Sequence, residues 1–328
     1  MIKGEKVFEG GEKPVKYLFQ KSYSKTNSLV IIFSAFPTKR KQPSYNFVRT
    51  LSEFDCNKLF ILDDFGCRAS YYLCEKKDFA IERSVISLIE SIVKENDIDF
   101  VISTGSSKGG YAALYYGIKY GFDHIISASP QYYLGDYLLD QTNSHDVTNF
   151  MSGSSEEEDH QYLNNLMPKM IEETRYTPHI FIHLGKDEPH YENHVKPLLS
   201  KLDAGHINYE LNLGDYSKHS EVGKFFPTIL KEKIRLILHY PSLEITQSTY
   251  GKQPTGSHCR FEVITDSPDN KIAWYIYHEN KRIEMKNYST DHKLLVTFDA
   301  VGKYYVKAFV INSIKHKVSV CSEEIEVF

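Results

Sequence analysis

Apolar and polar residues follow two different patterns along this chain, and the first pattern covers about two thirds of it. Segment 29–33 is entirely apolar, whereas segment 79–93 places apolar side chains every three or four residues, which is typical of an amphipathic helix. The same alternation predicts further strands at 58–62, 100–104, 124–128, 179–184 and 207–213, and helices at 45–54, 110–120, 192–202 and 222–239. Strands that are apolar on both faces and separated by helices indicate an α/β fold with a mostly parallel sheet flanked by helices.

The pattern changes after Pro241, where short strands with alternating apolar and polar residues follow one another with turn residues between them. This spacing favours an antiparallel β-sandwich, and residues 301–308 are similar to the end of an immunoglobulin-like domain. We therefore predict a catalytic domain over residues 1–240 and a C-terminal immunoglobulin-like β-sandwich over 241–328. Segment 131–177 interrupts the α/β alternation and is predicted to be a lid or insertion. Its acidic, serine-rich stretch at 152–159 is interpreted as a solvated loop.

Composition narrows the class of protein. The 328 residues carry a formal net charge of −4, with 25% charged and 41% apolar residues, which is ordinary for a globular protein and argues against nucleic acid as a partner. No apolar stretch approaches the length of a membrane span, and the N-terminus lacks the apolar region of a signal peptide, so we expect a cytoplasmic protein. The five cysteines show no C-x-x-C spacing, so we expect reduced thiols rather than disulfides or a zinc site.

The first candidate for chemistry is the segment Gly105–Gly109, which fits G-x-S-x-G between a predicted strand and a predicted helix. In this motif the serine occupies the tip of a sharp strand-to-helix turn with its hydroxyl exposed. Ser107 is therefore the predicted nucleophile, and Ser106 occupies a variable position of the motif. The backbone amide of Lys108, at the start of the helix, is a predicted donor to an oxyanion.

A serine nucleophile needs a base and an acid that orients the base, and in this fold both follow later strands in the order Ser, Asp/Glu, His. Asp187 lies just past strand 179–184 and is the favoured acid, with Glu188 and Asp215 as alternatives. His219 lies in the polar loop before the last helix and is the predicted base. The remaining histidines nearby are interpreted as a core residue, His183, and as surface residues, His190 and His194.

Residues 16–240 resemble the α/β-hydrolase serine enzymes, on the G-x-S-x-G segment, on Gly185–Asp187 and on His219. Within that superfamily, segments 33–36, 63–66 and 104–110 are similar to bacterial carbohydrate O-acetyltransferases of the capsule-biosynthesis and accessory secretion-system types. The His-Gly-Gly-Gly oxyanion motif of lipases is missing, so Ala35 or Phe36 is expected to supply the second amide. The resemblance implies short-chain acyl ester chemistry, as O-acetyltransferase or esterase, on a carbohydrate such as a bacterial surface or capsular polysaccharide.

Substrate contacts are expected at the strand ends that border the same crevice. Arg68 and Tyr71 could contact an anionic or sugar substrate, as could Tyr132, although such residues could equally shape the loops. We expect no metal, because the acidic positions of a calcium loop are lacking. No resident cofactor is expected, although acetyl-CoA or another acyl donor would serve a transferase. The alternative hypothesis is a non-catalytic hydrolase-fold scaffold whose C-terminal domain binds a glycan or protein partner.

Overall fold

A computed structural model of the protein describes residues 4–37 and 42–328. These residues form two units, one with the described residues up to Arg49 and with Cys56–Leu230, the other with Thr50–Asp55 and Lys231–Phe328. Residues 1–3, on which the expectation of no signal peptide partly depends, lie outside the described residues. Within the described ranges, no helix has both the length and the apolar character that crossing a bilayer requires.

The first unit contains an eight-stranded sheet in the order β1-β2-β4-β3-β5-β6-β7-β8. The six strands from β3 to β8 are mutually parallel, while β1 and β2 run antiparallel at one edge. Every residue of β3 and β4 is buried, as expected for strands covered on both faces. The predicted α/β architecture is confirmed. The strands are β1 (Glu5–Phe8), β2 (Val15–Gln20), β3 (Ser28–Phe33), β4 (Asn57–Ile61), β5 (Phe100–Ser106), β6 (His124–Ala128), β7 (His179–Gly185) and β8 (Tyr209–Gly214).

The helices of this unit follow the strands. They are α1 (Ala80–Glu95), α2 (Lys108–Tyr120), α3 (Leu134–Asp136), α4 (His145–Ser152), α5 (Glu157–Glu173), α6 (Lys196–Ala204) and α7 (Val222–Ile237), the last of which runs on past Leu230. π-Helical turns at Tyr137–Gln141 and Tyr191–Val195 and a 3₁₀ turn at His219–Glu221 lie beside α3, α6 and α7. Helix α2 packs against β3, β5, β6 and α5, which explains why it is apolar almost all round.

The insertion at 131–177 is largely helical, because it contains α3, α4 and α5. Within its acidic stretch, residues 153–156 form a loop of exposed and half-buried residues, as expected, whereas residues 157–159 form the first turn of α5. Asp159 accepts hydrogen bonds from the backbone and hydroxyl of Ser154 and pairs with Lys77 at 2.6 Å. Negative side chains in a first helical turn also complement the helix dipole.

The helix expected at 45–54 is absent from the described structure, which has turns there instead. Phe47 adopts a φ of 58°, in the left-handed region that an α-helix of L-residues excludes. The apolar spacing of this short segment therefore reflects packing of individual turns rather than one helical face.

The second unit is built from β-strands in two sheets, a three-stranded sheet in the order β14-β11-β9 and a larger one in the order β10-β17-β15-β12-β13, with β16 also pairing with β15. Alternate residues of β11 and β15 are buried. Strand β13 was not predicted: its apolar alternation is limited to Ile283 and Met285, and all nine of its residues are exposed. The strands are β9 (Glu244–Gln247), β10 (Gly251–Gln253), β11 (His258–Ile264), β12 (Lys271–His278), β13 (Lys281–Ser289), β14 (Lys293–Thr297), β15 (Gly302–Ile311), β16 (Lys317–Cys321) and β17 (Ile325–Val327).

Candidate active site

The corner between β5 and α2 is so tight that only glycine fits on either side of Ser107. A Cβ on Gly105 would lie 2.3 Å from the backbone of Gly109, and a Cβ on Gly109 would lie 2.3 Å from the carbonyl oxygen of Phe33. Ser107 itself adopts φ 54° and ψ −120°, a strained backbone conformation for a residue with a side chain. Its amide donates to the carbonyl of Ala128 at 2.8 Å. The backbone of Ser107 is thereby held between β5 and β6.

Three side chains from three strand ends form a continuous hydrogen-bonded chain at this corner. His219 Nε2 lies 2.9 Å from Ser107 Oγ, and His219 Nδ1 lies 2.5 Å from Glu188 Oε1. Because parallel strands end at the same edge of a sheet, residues that follow β5, β7 and β8 meet there. An imidazole between a hydroxyl and a carboxylate can remove the proton of the hydroxyl while the carboxylate fixes its tautomer.

The carboxylate beside His219 is that of Glu188, so the expected position of the acid is corrected from Asp187 to its neighbour. Asp187 is exposed, and Asp215 pairs with Lys186 at 2.7 Å in solvent. The reason is the turn after β7, in which the Glu188 amide donates back to the Gly185 carbonyl at 3.2 Å. This turn directs Asp187 outward and the next side chain inward.

Glu188 is only 1% exposed, and its second oxygen is also occupied. Oε2 accepts hydrogen bonds from Ser129 Oγ at 2.9 Å and from the Gly185 amide at 3.3 Å. A buried carboxylate requires such partners, because its desolvation is otherwise strongly unfavourable. These bonds hold the carboxylate in place for His219.

Two backbone amides are candidates to bind an oxyanion. Lys108 is the first residue of α2, so its N–H has no acceptor within the helix. In the loop after β3, the Ala35 amide already donates to Asn46 Oδ1 at 2.8 Å. The Phe36 amide, by contrast, has no hydrogen-bond partner within residues 4–37 and 42–328. Of the two amides expected from the sequence, Phe36 is the one that is left for a ligand.

A buried ion pair lies beneath the corner. Lys108 Nζ lies 2.8 Å from Asp63 Oδ2, and both side chains are inaccessible to solvent. Burial lowers the pKa of Lys108, while the pairing with Asp63 opposes that shift. Asp63 also accepts hydrogen bonds from the amide and hydroxyl of Ser70. The ammonium lies 4.4 Å from the centre of the Tyr72 ring, and the Tyr72 hydroxyl accepts a hydrogen bond from the Ser34 amide at 2.7 Å.

His190 and His194 were expected at the surface, but both are buried, and both rings pack edge-on against Tyr137 of the insertion. The His190 ring stacks on the His219 ring with centroids 4.0 Å apart and planes 10° apart. Burial, together with His219 and His194, lowers the pKa of His190 to about 2. His190 Nε2 lies 3.2 Å from the side-chain nitrogen of Gln131, which lies 3.2 Å from Ser107 Oγ.

The residues expected to contact substrate do not present open surfaces. Tyr71 is fully buried and Tyr132 is 4% exposed, so neither offers a ring face to a sugar. Arg68 donates both to the carboxylate of Asp146, at 2.8 Å, and to Ser144 Oγ, at 2.9 Å. These contacts favour the other interpretation of their positions, in which the three side chains shape the loops.

Among the residues that the structure describes, two clusters each bring three potential metal ligands within 4.8 Å of one another. They are Glu188 with His190 and His219, and Asp136 with Asp140 and His160. In the first cluster the imidazoles are stacked and nearly parallel, so their lone pairs point side by side instead of converging on one ion. Its geometry suits hydrogen bonding rather than coordination.

Sequence reasoning did not identify Gln131, Asn46 or Ser129 as site residues. Gln131 and Ser129 follow β6, so the rule that ligands bind beyond the carboxyl ends of parallel strands would have drawn attention to them. Asn46 lies in a segment without regular structure, and no sequence signal identified it.

No family model matches the sequence, and no curated protein matches it either. Solved structures do. The capsule O-acetyltransferase of Neisseria meningitidis serogroup A is 23% identical, with a TM-score of 0.61 over 73% of this chain and 96% of that chain. A mutant of it in complex with CoA is 24% identical, with a TM-score of 0.60 over 71% and 96%.

Two further likenesses come from other bacteria. The Gap123 glycosylation-associated complex of Streptococcus agalactiae is 17% identical, with a TM-score of 0.59 over 72% of this chain and 46% of that chain. The fluorophosphonate-binding serine hydrolase FphF of Staphylococcus aureus is 13% identical, with a TM-score of 0.53 over 71% and 96%. Together with the strand order and the corner at Ser107, these likenesses show that the chain has the α/β-hydrolase fold. The predicted resemblance is confirmed at the level of fold.

Proposed function

We propose that this protein is a serine enzyme that acts on short-chain acyl esters, with Ser107 as nucleophile, His219 as base and Glu188 as orienting acid. The observation that carries the proposal is the hydrogen-bonded chain from Ser107 Oγ through His219 to the buried Glu188 carboxylate. A scaffold that had lost catalysis would have no need to keep these three side chains in contact at a strained corner.

The reaction follows from the positions of these atoms. Ser107 Oγ attacks the acyl carbonyl carbon while its proton passes to His219 Nε2. The bond from that carbon to the leaving group then breaks, and the leaving group takes the proton from His219, which yields an acyl-Ser107 ester. An acceptor hydroxyl next gives its proton to His219 and attacks this ester, and Ser107 Oγ leaves and regains a proton. The amides of Lys108 and Phe36 are the proposed donors to the oxyanion in both steps.

The acceptor distinguishes a transferase from an esterase, and we propose a carbohydrate hydroxyl. The likeness to a capsule O-acetyltransferase supports this choice, and the structure of its mutant with CoA makes acetyl-CoA a reasonable donor to test. The polar character of the insertion also suits a hydrated substrate better than a lipid.

The direct test measures release of p-nitrophenol from p-nitrophenyl acetate by the wild-type protein and by Ser107→Ala. We expect Ser107→Ala to abolish turnover, and turnover of wild type to fall steeply from two-carbon to eight-carbon esters. Transfer is tested with acetyl-CoA and unacetylated oligosaccharides, by mass spectrometry of the sugar. Unchanged turnover in Ser107→Ala would contradict the mechanism, and a preference for octanoate would contradict the short-chain assignment.

We further propose that the second unit is an immunoglobulin-like β-sandwich, as the sequence predicted. The two all-β sheets and the alternate burial along β11 and β15 support this proposal. Binding of a partner by this unit stays a prediction.

A further inference from the structure

Gln131 contacts the hydroxyl of Ser107 but has no part in the mechanism described above. It is fully buried, and its Nε2 lies 3.2 Å from Ser107 Oγ and 3.2 Å from His190 Nε2. A carboxamide nitrogen has two hydrogens to donate and accepts none. In this arrangement Gln131 therefore donates one hydrogen to the nucleophile and the other to His190.

His190 can accept that hydrogen bond because its ring is neutral. Burial holds the pKa of His190 at about 2, so the ring carries one proton at neutral pH. His190 Nδ1 faces the Glu188 carboxylate at 3.6 Å, which favours the proton on that nitrogen and leaves Nε2 as an acceptor. The carboxylate that orients His219 thus also determines the tautomer of His190.

The tautomer of His190 in turn determines which way the Gln131 amide faces. If the amide were turned over, its carbonyl oxygen would oppose the lone pair of His190 Nε2 and lose a buried hydrogen bond. The same oxygen would then accept the only proton of Ser107 Oγ, which must pass to His219 for the reaction. The orientation in the structure avoids both, and it leaves Gln131 Oε1 buried without a hydrogen-bond partner within the described residues.

We propose that Gln131 is a further catalytic residue, which donates a hydrogen bond to Ser107 Oγ, and that His190 is the positioning residue that holds its amide in this orientation. The inference rests on the proposed function. Negative charge builds on Oγ as its proton leaves, and again when Oγ departs from the acyl group. An N–H donor already in place stabilises both transition states.

The stacking of His190 on His219 adds to this role. With the two planes 10° apart and 4.0 Å between centroids, the His190 ring restricts tilting of the base. Tyr137 packs edge-on against His190, with ring centroids 5.4 Å apart, and this contact further restricts the His190 ring. Ser107 Oγ therefore accepts a hydrogen bond from Gln131 and gives its own proton to His219.

The first test compares Gln131→Leu, Gln131→Glu and the exposed control Gln161→Leu in burst kinetics with p-nitrophenyl acetate. We expect Gln131→Leu to slow both acylation and deacylation on the order of 10²-fold, with little change in KM, and Gln161→Leu to match wild type. In Gln131→Glu, an ionised carboxylate cannot donate a hydrogen bond to Ser107 Oγ. Protonation of the new carboxyl restores a donor. The ratio of Gln131→Glu to wild-type turnover should therefore rise as pH is lowered below neutrality. His219, His190, Glu188 and Tyr137 face this position in both proteins, so the ratio reports on the new carboxyl.

The second test is a double-mutant cycle with His190→Phe, which keeps a ring on His219 but cannot accept from Gln131. Residues that act in series should lose activity together, so the double variant with Gln131→Leu should be no slower than the slower single variant. If the fold-losses in rate of the two single variants multiply in the double variant, the role of His190 is overturned. If the Gln131 variants stay within twofold of wild type in the rates of both acylation and deacylation, the whole inference is overturned. If Ser107→Ala retains turnover, it is instead the proposed function that fails. If Gln131→Leu or His190→Phe does not fold cooperatively, the nearly isosteric Gln131→Glu still tests the role of Gln131.

Discussion

At the scale of single residues, the buried carboxylate of Glu188 accepts three of the hydrogen bonds of the site. It accepts hydrogen bonds from His219, from Ser129 and from the Gly185 amide, and a charge so deeply buried is tolerated only with such partners. The neighbouring Asp187 is exposed. The pair therefore offers a catalytic candidate and a matched control one residue apart.

We expect Glu188→Gln to lower turnover of p-nitrophenyl acetate on the order of 10³- to 10⁴-fold, because an amide cannot stabilise the imidazolium or enforce the tautomer of His219. Asp187→Asn should stay within about twofold of wild type, since its side chain points to solvent. Initial rates at saturating substrate give the comparison. The reverse order of losses would restore Asp187 as the acid.

His194 gives a second prediction at this scale, on stability against pH. Burial lowers the pKa of its imidazole to about 4, whereas a histidine in an unfolded chain has a pKa of about 6.5. Between about pH 6.5 and about pH 4, the unfolded state takes up a proton that the folded state does not. The contribution of His194 to the free energy of unfolding is therefore fully present above about pH 6.5 and decreases as the pH is lowered. The loss from this group amounts to about 3 kcal/mol at pH 4.

His194→Gln should therefore show a weaker decline of the free energy of unfolding between pH 6.5 and 4 than wild type. The exposed control His145→Gln should decline as wild type does. Urea unfolding at several pH values measures both slopes. Parallel slopes for His194→Gln and wild type would contradict the prediction.

At the scale of elements, the pair Asp63–Lys108 links the segment after β4 to the first residue of α2, on which the oxyanion donor depends. Removing one member of a buried pair leaves an uncompensated charge, which typically destabilises by about 3–5 kcal/mol. The adjacent Asp64 pairs with Lys16 at a partly exposed position, where a pair contributes about 0–1 kcal/mol.

We thus expect Asp63→Asn to lower the free energy of unfolding by about 3–5 kcal/mol, and Asp64→Asn by no more than about 1 kcal/mol. The double variant Asp63→Asn with Lys108→Met should recover part of the loss, because no charge remains buried. Denaturant titrations decide this. Equal changes in the free energy of unfolding for Asp63→Asn and Asp64→Asn would show that the buried pair stabilises the protein no more than the exposed pair.

At the scale of the whole molecule, the chain divides into two units, and the second draws its strands only from residues after Pro241. Phe261, Trp274 and Val306 are buried and all belong to those strands. We expect a fragment of residues 241–328 to fold by itself, although less stably than in the full chain because residues 50–55 and 231–240 also belong to this unit. Its size is near the lower range of independently stable domains. Urea unfolding followed by circular dichroism should show one cooperative transition, and a gradual loss of signal would contradict the prediction.

The sequence by itself determined the features that depend on local pattern. Entirely apolar segments such as 29–33 must be buried on both faces, so the parallel sheet follows from hydrophobic periodicity. The strand-to-helix turn follows from steric limits, because the glycines around Ser107 permit a corner that no other residues allow. The strands that lack a pattern could not be found in this way. Strand β13 is exposed throughout and is held by pairing with β12, which is a tertiary interaction.

Only the tertiary structure decided which polar side chains meet. Asp187 and Glu188 are equivalent in sequence, and a single turn after β7 directs one outward and the other to His219. The sequence predicts His190 at the surface, whereas its ring stacks on His219 in the structure. Gln131 contacts Ser107 from the end of another strand. Such contacts join residues that are far apart in the chain, so they depend on the direction in which each turn points its side chains. Hydrophobic periodicity carries no information about that direction, because it records only which face of an element is buried.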